Sequence, residues 1–192
     1  MNEAVFARAD AYGILALCLQ QSPPAELGRT LVQCGPAPFG EPALDTALAR
    51  FAHCLEATSQ ATLVREYHRL LVGIDGGEVV PYASWHLAGH LMDRPLATLR
   101  RDLRRLGLER TPGCGEPEDH AAAICESMAA LDLLDLGNDS ERRAFFEMHV
   151  DSWLPRLFAD LEQAAATDAY AELARLGQVL LAHERTHYAE MN

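Results

Sequence analysis

Apolar residues recur along this chain at helical spacing almost from end to end. After Pro42, the residues Leu44, Leu48, Phe51 and Leu55 fall at i, i+4, i+7 and i+11. Leu63, Val64, Tyr67, Leu70 and Leu71 continue the same period, and Leu96, Leu99, Leu103 and Leu106 form one stripe after Pro95. Late in the chain Leu173, Leu176 and Leu180 repeat it. Each stripe is one face of an amphipathic helix that must be buried against a neighbour. No stretch alternates apolar and polar residues for long enough to predict a strand. The pattern predicts helices near 3–20, 24–33, 42–57, 60–71, 83–92, 95–107, 117–136, 140–150, 155–166 and 168–190. The expected fold class is therefore all-α, a single compact bundle of about ten helices. Two glycine- and proline-bearing loops interrupt it, 72–81 and 108–116. The second is the expected hinge between an N-terminal helical region, 1–107, and a C-terminal one, 117–192.

Composition narrows the function. The 192 residues carry a formal net charge of −12, and every basic side chain is arginine. An acidic chain repels phosphate backbones, which argues against nucleic acid as a partner and suits a basic peptide. The longest apolar run, Ala11 to Leu19, is broken by Gly13 and too short to span a membrane. The N-terminus has no basic region of the kind that opens a secretory leader. Five cysteines without a CxxC pair argue for a reducing compartment, so a cytoplasmic protein is expected.

Three segments could carry chemistry. The first is Glu116-Pro117-Glu118-Asp119-His120. Proline suits the first position of a helix, and carboxylates suit its first turn, so the segment reads as a helix start. His120 fits less well there, because a cation is disfavoured near a helix N-terminus; a neutral ring is expected. The second is Val80-Pro81-Tyr82-Ala83-Ser84-Trp85, where Ser84 could cap the next helix. Tyr82 and Trp85 are either peptide-holding surfaces or core aromatics.

The third, His183-Glu184-Arg185-Thr186-His187, spells HExxH, the pattern of a zinc hydrolase. Five residues follow it, which leaves little to supply a third ligand, and its histidines continue the stripe of Leu173, Leu176 and Leu180. His86 and His90 form a second i, i+4 pair, with Asp93 nearby as a weak third ligand. Arg100, Arg101, Arg104 and Arg105 read as a solvated face opposite the leucine stripe, or as a contact for an acidic partner patch or a nucleotide phosphate. Neither a phosphate-binding loop nor a GxSxG elbow is present. No catalytic residue, metal site or cofactor is predicted, and binding another protein is the expected role.

Taken in order, the segments resemble the TorD/DmsD/NarJ family of molybdoenzyme-maturation chaperones. Glu66-Tyr67-His68-Arg69-Leu70-Leu71-Val72-Gly73 is similar to that family's E-Y-x-R-L-F-x-G segment, and Val80 to Ser84 to its P-P-[YW]-x-S segment. Glu116 to His120 matches its E-P-x-D-H signature, and His149, Trp153, Pro155 and Phe158 resemble its H-x3-W-x-P-x2-F pattern. Leu71, Ile74 to Gly77 and Val80 depart from it. The resemblance implies a cytoplasmic helical chaperone, prone to form homodimers. It implies binding of the twin-arginine signal peptide, and often the apoprotein, of a molybdoenzyme catalytic subunit until its cofactor is inserted. By carry-over, Asp119 and His120 are expected to contact the peptide, with Tyr82, Ser84 and Trp85 as neighbours and Glu116 and Glu118 adding negative potential. The stretch from Pro81 to Ala97 most resembles the branch associated with formate dehydrogenases. The alternatives are a zinc hydrolase built on His183 to His187 and a structural helical subunit of a redox complex.

Overall fold

The structure is a computed structural model, and it describes residues 8–72, 77–109 and 115–191. Among these residues it contains ten α-helices and no strand beyond one isolated β-bridge. They are α1 (Arg8–Gln20), α2 (Leu27–Gln33), α3 (Pro42–Ala57), α4 (Gln60–Tyr67), α5 (Ala83–Ala88), α6 (Arg94–Arg105), α7 (Ala121–Leu133), α8 (Asp139–Phe145), α9 (Leu154–Ala164) and α10 (Asp168–Glu190). Two π-helical turns, His68–Val72 and Phe146–Val150, extend α4 and α8. The all-α expectation holds. No helix among the described residues is long and apolar enough to cross a membrane.

The stripes read from the sequence are the core. Leu44, Leu48, Phe51 and Leu55 of α3 are buried, as are Leu96, Leu99 and Leu103 of α6 and Leu173, Leu176 and Leu180 of α10. α10 is the central element, packed on α3, α9 and α1, while α1 lies along α7. At the α9–α10 crossing, a Cβ on Gly177 would sit 2.5 Å from the Phe158 ring. Only glycine allows that approach. One contiguous cluster draws on both sides of the expected hinge, including Tyr12, Phe51, Ile124, Trp153 and Tyr170. Residues 110–114 of that hinge lie outside the described residues.

Two sequence expectations need correction. α5 ends at Ala88, not near 92: Gly89 takes a left-handed φ of +77° and its N–H bonds to the Trp85 carbonyl. His90 therefore leaves the helix. His86 instead bonds the Val80 carbonyl at 2.9 Å and packs on Trp153, so the two histidines do not form a helical pair. Likewise α7 begins at Ala121, not at Pro117, and His120 is its N-cap.

The remaining family-like segments hold the fold. Glu66 is buried and its Oε1 accepts from the backbone N–H groups of Ala166 (2.6 Å) and Thr167 (2.9 Å), pinning the turn before α10. Arg69 donates to the Ala164 carbonyl at 2.8 Å. His149 bonds Asp102 of α6 at 2.9 Å, and the Trp153 indole donates to the His149 carbonyl at 2.8 Å.

Candidate peptide-binding site

The site is built where two distant segments meet. The extended stretch before α5 runs antiparallel to the stretch before α7, forming a single bridge between Tyr82 and His120. Ala83 N–H donates to the Asp119 carbonyl at 2.9 Å, and Ala121 N–H donates to the Pro81 carbonyl at 2.8 Å. The starts of two helices are thereby clamped together. Backbone pairing satisfies groups that helix termini would otherwise leave open.

Asp119 completes the clamp. It is 1% exposed, and its Oδ2 accepts from the Ser84 N–H at 3.0 Å and from the Ser84 hydroxyl. Asp119 thus caps α5 from another segment, and Ser84, at the second position of α5, is the capped residue. By sequence alone Ser84 could cap α5, and Asp119 falls in the first turn of its own helix. The long-range bond reverses both roles.

His120 behaves as its position predicts. Its Nδ1 accepts from the Ala122 N–H at 3.2 Å, which requires a ring lacking a proton there. Burial lowers its pKa, against the opposing pull of Glu116 and Asp119. The ring packs edge-on against Tyr82, with centroids 5.0 Å apart. Tyr82 donates its hydroxyl to Glu116, and burial followed by that bond raises the phenol pKa. Arg100 of α6 pairs with Glu118 at 2.8 Å, so one arginine of the α6 cluster is committed to this motif; Arg101, Arg104 and Arg105 are exposed as expected.

Two recesses adjoin this clamp and share Gln20, Glu116 and His120 in their walls. One, of 430 Å³, is walled by Tyr67, Leu71, Pro81, Tyr82, Trp85 and Leu91. Trp85 is 47% exposed there and Leu91 54%, which leaves apolar surface open on the recess wall. The other, of 190 Å³, lies along α7 and is walled by Glu109, Glu116, Glu118 and Glu126 with Leu103 and Ala122. It exists because α7 presents Ala122, Ala123, Ser127 and Ala130 on that face, and short side chains leave the space unfilled. The structure brings Glu116, Glu118, Asp119, His120, Tyr82, Ser84 and Trp85 into one neighbourhood, five of them on the recess walls and Asp119 and Ser84 beneath. Gln20, Glu109 and Glu126 went unnoticed in the sequence. The run of small residues on α7 was its one visible trace.

The HExxH segment is placed otherwise. Glu184 is fully buried and accepts from Arg8 and from the Tyr12 hydroxyl, both at 3.2 Å. A general base for zinc hydrolysis must face a metal-bound water beside the two histidines. Glu184 is turned into the core instead, which removes the basis of that alternative.

Over residues 41–159, more than half of the chain, the sequence matches the nitrate reductase delta subunit family. The chain belongs to this family of NarJ/TorD-like chaperones. Its fold matches a crystal structure from Archaeoglobus fulgidus described as that of a redox enzyme maturation protein, with a TM-score of 0.64. The two share 18% identity over 92% of this chain and 94% of that one. No curated protein sequence matches.

Proposed function

We propose that this protein is a cytoplasmic maturation chaperone that binds the twin-arginine signal peptide, and with it the apo form, of a molybdopterin oxidoreductase until its cofactor is in place. The observation that carries this reading is the pair of adjoining recesses at the α5–α7 clamp. Exposed aromatic surface and clustered carboxylates meet there, on a site held by buried hydrogen bonds. Guanidinium groups pair with carboxylates through charge-assisted, bidentate bonds, and an apolar stretch gains by covering Trp85 and Leu91. A formate dehydrogenase is the client that the Pro81–Ala97 stretch suggests. In this reading Asp119 and Ser84 position the site from beneath, His120 sits at its centre, and Tyr82, Trp85, Glu116 and Glu118 meet the peptide.

The test is capture from the native cytoplasm by tagged wild type and by a Trp85→Ala/Glu116→Gln double variant. These exposed side chains can be changed without opening the core, unlike Asp119. Recovery of a molybdoenzyme precursor with its leader intact, lost in the variant, is the expected result. Recovery of mature enzyme alone, at constant stoichiometry, would make the protein a structural subunit instead.

A further inference from the structure

The two recesses that share Gln20, Glu116 and His120 have unlike walls, and this difference bears on how a leader would lie across them. We infer that the paired arginines enter the recess along α7, against Glu118 and Glu126, and that the following apolar stretch lies against Leu71, Pro81, Trp85 and Leu91. The chain crosses between the two over Glu116 and His120. This polarity rests on the leader-binding reading above.

The argument is one of complementarity. Four glutamates wall the smaller recess, and the ion pair among them within the described residues is that of Glu118 with Arg100. Clustered carboxylates raise the local negative potential and attract a second cation. Beside Gln20, His120 and Ser127, the residues Leu103, Leu108, Ala122, Ala123 and Ala130 offer the apolar lining that an arginine's methylene stem covers while its head reaches a carboxylate. The larger recess has more than twice the volume and one glutamate, the shared Glu116. Its exposed Trp85, Leu91 and Val72 suit an uncharged aliphatic run. Burying arginines there would strip their hydration with one carboxylate to replace it, which is costly. At the junction His120 is held neutral by its bond to Ala122, so it adds no repulsion to a passing cation.

The polarity is read by cross-coupling, using the full chain and a fluorescein-labelled synthetic peptide of two arginines followed by a Leu–Ala run. Two further peptides replace the arginines by glutamine or the leucines by serine. Glu126→Gln and Trp85→Ala are the protein variants, each checked for an unchanged thermal midpoint. By fluorescence anisotropy, Glu126→Gln is expected to weaken the parent peptide by roughly two- to fivefold and to have no further effect on the glutamine peptide. Trp85→Ala is expected to weaken the parent by about tenfold and to have no further effect on the serine peptide. The crossed combinations should multiply independently. Coupling of Trp85 to the arginines and of Glu126 to the leucines would overturn the polarity while leaving the leader reading intact. Binding that neither variant alters would remove the recesses from the reading. No binding by wild type would sink both.

Discussion

At the residue scale, Asp119 shows how a signature position can matter without being exposed. Its carboxylate satisfies two buried donors of Ser84, a residue 0% exposed. Asp119→Ala strands both, at a cost of about 1–3 kcal/mol for each donor left unsatisfied. Denaturant unfolding of Asp119→Ala should show a fall of that size, whereas Glu116→Gln, exposed, should fall within about 0.5 kcal/mol of wild type. His120 makes the companion prediction. Its folded pKa is lowered by burial below the ordinary 6.5, so the unfolded chain takes up the proton first. Its contribution to stability is complete above pH 6.5 and is lost as pH falls through its folded pKa. Protonation would also destroy the acceptor that caps α7. His120→Asn keeps a capping oxygen that does not titrate. The drop in unfolding midpoint between pH 7 and pH 5 should be shallower in this variant than in wild type.

At the element scale, two helical glycines separate intrinsic propensity from packing. Gly13 of α1 has nothing within 4 Å of an added Cβ, and it is exposed. Gly13→Ala should stabilise by about 0.5–1 kcal/mol, since alanine lowers the conformational entropy lost on helix formation. Gly177 of α10 meets Phe158 at 2.5 Å, so Gly177→Ala should destabilise by about 1–3 kcal/mol through overpacking. The two midpoints, measured side by side, should move in opposite directions. If both rose, the α9–α10 contact would be looser than described. The same scale explains why boundaries shifted. The sequence-predicted helix 117–136 starts four residues late because Ala83 and Ala121 draw the backbone before α7 into a bridge with the segment before α5. Local propensity at Pro117 favoured a helix, and a long-range pairing overrode it.

At the scale of the whole molecule, α1, α7 and α10 are joined by a partly buried ionic cluster in which Glu184 is the fully buried member. Arg8 of α1 bonds Asp132 of α7 at 2.7 Å and Glu184 of α10 at 3.2 Å, and it lies 5.7 Å from the centre of the Tyr188 ring. Burial raises Glu184 to about 7, while Arg8 opposes that shift. A group raised on folding contributes stability that is full below its unfolded value and is lost as pH climbs through about 7. Removing Arg8 leaves a buried carboxylate without its cation, which costs about 3–5 kcal/mol when it is ionised. Arg8→Ala should therefore lose most stability above pH 7 and least near pH 5, where Glu184 carries a proton. A penalty independent of pH would show that Glu184 stays in one protonation state throughout.

The sequence alone determined the helical class, the core faces and the family. Period 3.6 in the leucines is a local property, and burial of an amphipathic face follows from it whatever the partner. A neutral His120 was also expected from the sequence on the ground that a helix N-terminus disfavours a cation, but what lowers its pKa in the structure is burial, which no local pattern shows. What faces what was decided only by the tertiary structure. No spacing rule joins Ser84 to Asp119, Tyr82 to Glu116, or Arg8 to Glu184, since such bonds depend on where the chain returns. For the same reason the HExxH letters carried no information about Glu184, whose direction is set by Arg8 and Tyr12. The acidic recess along α7 was equally hidden, because a cavity is defined by side chains from several helices and by the small residues that fail to fill it.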